Sequence, residues 1–242
     1  MALITGGARG IGLAIARRLT DAGAKVLLAD QRKDEVERAA EGLRARAQHA
    51  VGLCGDVSNA ADAMTLVDQA IREFGCIDIL VNNAGIMGRV APLWELTDED
   101  WSDVLRIDLT SVFLMTRAVA PHMRSRKSGA IVSVASIAGK EGTPQLIPYS
   151  VAKAGIIAFT KAFGKEVIGD GIRVNCVAPG VVETPLLDQL PPAATQLMLS
   201  KSPMGRFGTA DEVAAVVHFL ASDDASFITS QCFDVSGGRA TY

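Results

Sequence analysis

The residues best equipped for chemistry lie in "YSVAKAGIIAFTKAF", which begins at Tyr149. Tyr149 and Lys153 are four residues apart, a spacing that puts both side chains on one face of a helix. Free tyrosine has a pKa of ~10, too high for a base near neutrality, and a neighbouring ammonium favours the phenolate. The pair is therefore suited to proton transfer. Lys153 lies between "SVA" and "AGIIAF", where a charge without a partner is costly to bury. Ser136 ends the strand-like run before this helix and is placed to donate to a substrate oxygen as charge develops there. A packing tyrosine and an edge lysine would explain the helix alone; the serine and a glycine loop early in the chain weigh against that.

The loop is "ITGGARGIG", between the first strand-like run and the first helix. Gly6, Gly10 and Gly12 permit a tight turn, close approach of backbone to a phosphate, and close packing of helix on strand; Arg9 and Ile11 share the turn. Backbone N–H groups at the helix start, with the favourable end of its dipole, suit a pyrophosphate. Asp30 closes the second strand-like run, 18 residues after Gly12. A carboxylate there accepts hydrogen bonds from the adenosine ribose hydroxyls of NAD. It also repels the 2′-phosphate of NADP, whereas Arg9 and Arg32 attract that phosphate but are free to turn to solvent. NAD is the expected cofactor, and its ribose hydroxyls would give Lys153 a partner.

The elements that must position these groups alternate along the chain. "ALIT", "KVLLAD", "AVGLC", "DILVNN", "AIVSVAS" and "IRVNCVAP" read as strands rich in Val, Ile and Leu, buried on both faces as in a parallel sheet. Helix-like segments run from Ile11 to Ala22, Lys33 to Arg46, Ala60 to Phe74, Asp98 to Arg124, Tyr149 to Val167 and Asp211 to Leu220, before a closing strand around Gln231 to Val235. This pattern predicts an α/β fold: one domain over 1–242, a doubly wound, Rossmann-type parallel sheet with helices on both faces. Residues 184–208 break the rhythm with four of the nine prolines, as a substrate-binding loop would.

Half of the 242 residues are apolar and the net charge is −3, with both signs interspersed. That argues against nucleic-acid or membrane-surface partners. No apolar run reaches the ~18–20 residues of a membrane span, and no secretion signal is visible, so a cytoplasmic protein is expected. Cys54, Cys76, Cys176 and Cys232 form no C-x-x-C, and His49, His122 and His218 are scattered. Buried free thiols are expected, and no metal site.

With these residues in place, the chain resembles the short-chain dehydrogenase/reductase family over its whole length. The matching stretches are "TGGARGIG", "DV" at Asp56–Val57, "NNAG" at Asn82–Gly85, "SVASIAG", "YSVAK", "RVNCVAPG" and "VSGG". The resemblance implies that Asp56 and Val57 hold the adenine and that Asn83 and Gly85, with Pro179 and Gly180, line the cofactor cleft. Val182 and Thr184 would hold the nicotinamide carboxamide, and Ser136, Tyr149 and Lys153 would be catalytic. A homotetramer is implied too, packed through the two long helices. Family members usually carry Asn where this chain has Asp108, a position that helps hold a water in a proton relay through the lysine. A carboxylate there should raise the pKa of Lys153, and a working relay is expected.

The residues after Gly85 and after Ser136 should border the substrate. Arg89, Lys140, Glu141 and Gln145 among them suggest a polar hydroxy compound such as a sugar, polyol or sugar acid. An NADPH-linked 3-oxoacyl reductase would share the catalytic set but not place Asp30 against a 2′-phosphate. A non-enzymatic NAD sensor would have no need of Ser136, Tyr149 and Lys153 together. The tail "SGGRATY" is placed to reach a neighbour's active site in a tetramer.

Overall fold

The computed structural model describes residues 1–46, 48–184, 196–197 and 199–240. Seven strands form one wholly parallel sheet: β1 (Ala2–Thr5), β2 (Val26–Asp30), β3 (Ala50–Cys54), β4 (Ile79–Asn82), β5 (Gly129–Val134), β6 (Ile172–Pro179) and β7 (Cys232–Val235). Their spatial order is β3-β2-β1-β4-β5-β6-β7. The chain winds outward from β1 to β3, then returns to the middle and winds the other way from β4. Between β1 and β4 the direction of winding reverses, and in open α/β sheets ligands bind in the crevice outside the strands' carboxyl ends at such a switch point. Every residue of β1 and β2 is buried, as central strands covered on both faces require.

Alternation along the strands divides the core into two layers. Ile4 and Leu28 pack with Ile15, Val213, Val217 and Leu220 on one side of the sheet. Leu3 and Leu27 pack with Leu66, Leu80, Met115 and Met123 on the other. The first layer belongs to α1 (Gly10–Asp21), α2 (Lys33–Arg44) and α8 (Ala210–Ala221), the second to α3 (Ala60–Phe74) and α5 (Ser111–Arg126). The expected strand and helix order is therefore observed, with ends shifted by one or two residues. No helix among the described residues is long and apolar enough to cross a membrane.

Two details depart from expectation, and one expected segment falls largely outside the described residues. The predicted helix from Asp98 to Arg124 is not uniform: α4 (Asp98–Val104) passes through a π-helical turn at Leu105–Thr110 into α5. A π-turn adds one residue to the helical circuit and so re-aims a side chain, here Asp108, inward. Of the four cysteines, only Cys176 is buried; Cys54 is exposed, because the last residue of β3 lies at the sheet's outer edge. Of the proposed substrate loop at 184–208, residues 185–195 and 198 lie outside the described residues; its flanks are joined where Val182 bridges to Gly208. Two further helices, α6 (Ala138–Glu141) and α7 (Ile147–Glu166), follow β5.

Candidate active site

The carboxyl ends of β1, β2, β4, β5 and β6 open into one cleft. Its floor is the glycine loop. Gly6 and Gly10 have φ of +62° and +55°, a region where a side chain is strained. A Cβ on Gly12 would lie 2.3 Å from the Gly6 carbonyl oxygen, so Gly12 packs behind the loop instead of lining the cleft. Asn83 Nδ2 donates to the carbonyls of Thr5 and Gly6, both at 3.0 Å, and Thr5 Oγ1 accepts from the N–H of Asn83 at 2.9 Å. The end of β4 thereby holds the loop in place. Arg9, the residue before α1, makes no side-chain cap, so the first N–H groups of that helix remain available to an anion. A dinucleotide's pyrophosphate fits this cradle.

Asp30, at the tip of β2, is 5% exposed. Arg32, expected to be free to turn to solvent, is held at this strand end instead. Its Nε and Nη2 donate to the two oxygens of Asp30 at 2.9 and 3.0 Å, and its backbone N–H adds a third bond at 3.1 Å. Glu35 approaches the same guanidinium at 3.3 Å. Two carboxylates thus compete with any phosphate for Arg32, and hydrogen bonding to Asp30 raises its pKa further despite partial burial. Nearby, Asp56 accepts from the N–H and hydroxyl of Ser58 at 2.9 and 2.6 Å. Burial pushes its pKa up, but those bonds and the Arg106 charge outweigh it and hold the carboxyl below its ordinary value. Val57 lines the same end.

The catalytic candidates meet at the other end. Lys153 Nζ lies 5.4 Å from the centre of the Tyr149 ring and donates to the Val134 carbonyl at 3.2 Å. Its counter-ion belongs to the protein itself: Asp108 Oδ2 is 3.1 Å away, with side-chain exposures of 5% for the lysine and 0% for the aspartate. The other carboxylate oxygen, Oδ1, accepts from the Ile86 N–H at 2.8 Å. Burial pulls the Lys153 pKa down, yet the charges of Asp108 and Tyr149 overcome it, and the net direction is up. For Asp108 burial wins, raising its pKa against the opposing pull of Lys153 and Ile86. Ser136 follows β5; its Oγ accepts from the Ala138 N–H at 3.1 Å, which leaves its own proton to donate into the cleft.

Every residue expected to be catalytic or to hold the cofactor lines this one cleft except Gly12: Gly6, Arg9, Gly10 and Ile11 at the loop, Asn83, Gly85 and Asp108 beyond β4, and Pro179, Gly180, Val182 and Thr184 beyond β6. The expected polar rim is not there. Arg89 turns to the Glu95 carbonyl and Asp100, Lys140 pairs with Asp234, Glu141 pairs with Arg239, and Gln145 sits at a positive-φ turn. The cleft that Ser136 lines is instead walled in part by Met87, Ile137, Ala138, Thr143 and Leu146. Arg239 was missed as a site residue. The tail that carries it reaches its own chain's cleft, and its only sequence signal was a charge in a short glycine-rich terminus.

A family model described as enoyl-(acyl carrier protein) reductase matches residues 6–240. The chain is 42% identical over 241 residues to 2-dehydro-3-deoxy-L-rhamnonate dehydrogenase (NAD(+)) of Sphingomonas sp. (strain SKA58), covering 100% of this chain and 95% of that one. It is 41% identical over 239 residues to the 3-oxoacyl-[acyl-carrier-protein] reductase FabG of Thermotoga maritima (strain ATCC 43589 / DSM 3109 / JCM 10099 / NBRC 100826 / MSB8), covering 98% and 96%. Among solved structures, levodione reductase superposes with a TM-score of 0.95 at 35% identity, over 100% of this chain and 98% of that one.

The buried ion pair makes a demand on its neighbour. A Cβ on Gly85 would lie 2.9 Å from Asp108 Oδ2 and 3.2 Å from Lys153 Nζ, atoms already fixed by each other. Gly85→Ala is expected to lower stability by about 1–3 kcal/mol, the usual cost of overpacking, as measured by denaturant unfolding. Unchanged stability would mean that the pair can shift freely.

Proposed function

The chain belongs to the short-chain dehydrogenase/reductase family, and from that premise we propose that it uses NAD(H) to interconvert a secondary alcohol and a ketone on a small hydroxy compound such as a sugar, polyol or sugar acid. Its class, a short-chain alcohol dehydrogenase or ketoreductase, follows from its relatives. The observation that carries the reading is the convergence of Ser136, Tyr149 and Lys153 on one cleft with the glycine cradle and Asp30.

In this reading the cradle from Gly6 to Gly12 takes the pyrophosphate, Asp30 the adenosine ribose, and Asp56 and Val57 the adenine. Val182 and Thr184 face the nicotinamide. The bound nicotinamide supplies hydride transfer. Tyr149 exchanges a proton with the substrate oxygen, as base in oxidation and as acid in reduction. Ser136 donates a hydrogen bond to that oxygen as its charge changes. Lys153, kept cationic by Asp108, supports the ionised tyrosine. A sensor that only bound NAD would need none of these three groups together.

NAD is favoured because Asp30 stands at the ribose end and Arg32 is already engaged by two carboxylates. The similarity to a 3-oxoacyl reductase supports a second reading with NADPH, against which Asp30 weighs. The relative whose name specifies NAD(+) and a sugar-acid substrate supports the first. We also propose a cytoplasmic homotetramer packed through α5 and α7, where Phe113 and Val151 are 44% and 42% exposed in the single chain.

Two experiments test this account. Wild type should show kcat/KM for NAD(H) at least about tenfold above NADP(H), a difference near 1.4 kcal/mol, and Asp30→Ala should narrow the gap; a wild-type preference for NADP(H) would refute the role given to Asp30. Tyr149→Phe should lose about 10²–10⁴-fold in kcat while NADH, titrated by fluorescence, still binds. Near-normal turnover in that variant would remove Tyr149 from the mechanism.

A further inference from the structure

One cation of the cleft has no part in the scheme above. Arg239, beyond the end of β7, lines the same cavity as Ser136, Tyr149 and Leu146, with 11% of its side chain exposed. Its guanidinium is fixed along one edge: Nε and Nη2 donate to Glu141 Oε2 at 3.0 and 2.7 Å. Glu141 ends α6, the short helix that follows Ser136. A guanidinium has five N–H donors, and Glu141 occupies two of them. The opposite edge, formed by Nη1 and the second Nη2 proton, has no partner among the described residues.

The other cations of the cavity have tasks already. Lys153 pairs with Asp108, Arg32 pairs with Asp30, and Arg9 stands at the dinucleotide loop. The cavity that Arg239 lines also takes carbon surface from Met87, Ile137, Ala138 and Leu146. An apolar surface that ends in a guanidinium edge is complementary to a molecule with a carbon body and an anionic end.

We propose that Arg239 binds a carboxylate of the substrate, so that the enzyme acts on hydroxy acids and the corresponding oxo acids. This deepens, and rests on, the oxidoreductase reading above. The planar fork meets a carboxylate through two parallel N–H···O bonds. Glu141 fixes the guanidinium in advance, so less side-chain freedom is lost on binding. A neutral polyol offers the same edge only uncharged hydroxyl oxygens, and hydrogen bonds without charge are weaker.

The test pairs each acid with its own primary amide. A panel of 3- and 4-hydroxy acids, 4-hydroxycyclohexanecarboxylates and aldonic acids is assayed with NAD, alongside the matching amides, in wild type, Arg239→Gln and Arg239→Lys. For the acid turned over best, wild type is expected to favour acid over amide in kcat/KM by at least about tenfold. Arg239→Gln should bring that ratio close to one, mainly through KM, and Arg239→Lys should recover part of it because it keeps the charge but not the fork. Turnover with no acid preference, or a preference that survives Arg239→Gln, overturns the carboxylate site and leaves the oxidoreductase reading standing. Absence of turnover of every acid and every amide by an enzyme that binds NADH overturns both.

Discussion

A lysine ammonium buried to 5% exposure cannot be left to a transient partner. In this chain the partner is permanent: Asp108, fully buried, 3.1 Å away and steadied by the Ile86 N–H. Four segments answer to that one charge. The π-turn between α4 and α5 aims the carboxylate, the backbone after β4 supplies the N–H, β5 offers the Val134 carbonyl, and α7 carries the lysine. Gly85 must remain without a side chain because the pair fills its space. Removing one member of a buried pair typically costs about 3–5 kcal/mol, far above what exposed pairs contribute.

The same charge links the fold to chemistry. The winding reversal between β1 and β4 opens a crevice at the carboxyl ends of the strands, and Asn83 holds the glycine loop to the edge of it. In the proposed function, the acidic groups at the β2 and β3 ends take ribose and adenine, and the Tyr149–Lys153 end exchanges the proton. Three carboxylates thus serve three purposes: Asp30 is clamped by Arg32, Asp56 is satisfied by Ser58, and Asp108 is divided between Lys153 and the Ile86 N–H.

Local spacing explains what could be read from the sequence. Tyr149 and Lys153 stand out because a separation of four residues puts both on one helical face, and Asp30 because it ends a strand at a set distance from the glycine loop. The order of strands and helices follows from the apolar runs. The π-turn escapes such reading, since one added residue barely alters the apolar pattern of "LRIDLTSVF". The Arg32–Asp30 clamp forms where the chain turns off a strand, outside helical or strand periodicity. Arg239 meets Glu141 across 98 residues, and no local rule pairs them. The rim charges misled for a related reason: Lys140 and Glu141 found partners 94 and 98 residues away, while Arg89 turned to Glu95 and Asp100 a few residues on.

The central claim is that Asp108 keeps Lys153 cationic. An amide at this position keeps only one acceptor, and if that oxygen stays with the Ile86 N–H, its NH₂ faces the lysine. Burial would then act on Lys153 with less opposition and lower its pKa. Because the wild-type lysine is raised above its ordinary value, its charge persists until alkaline pH and is lost as pH rises through that raised pKa. The deciding measurement is the pH–rate profile of kcat for wild type and Asp108→Asn, each checked for native fold by circular dichroism. The alkaline limb should move to lower pH in the variant, with kcat at its optimum reduced by less than about tenfold, or about 1.4 kcal/mol. An unmoved alkaline limb, or a hundredfold loss at the optimum, would contradict the account.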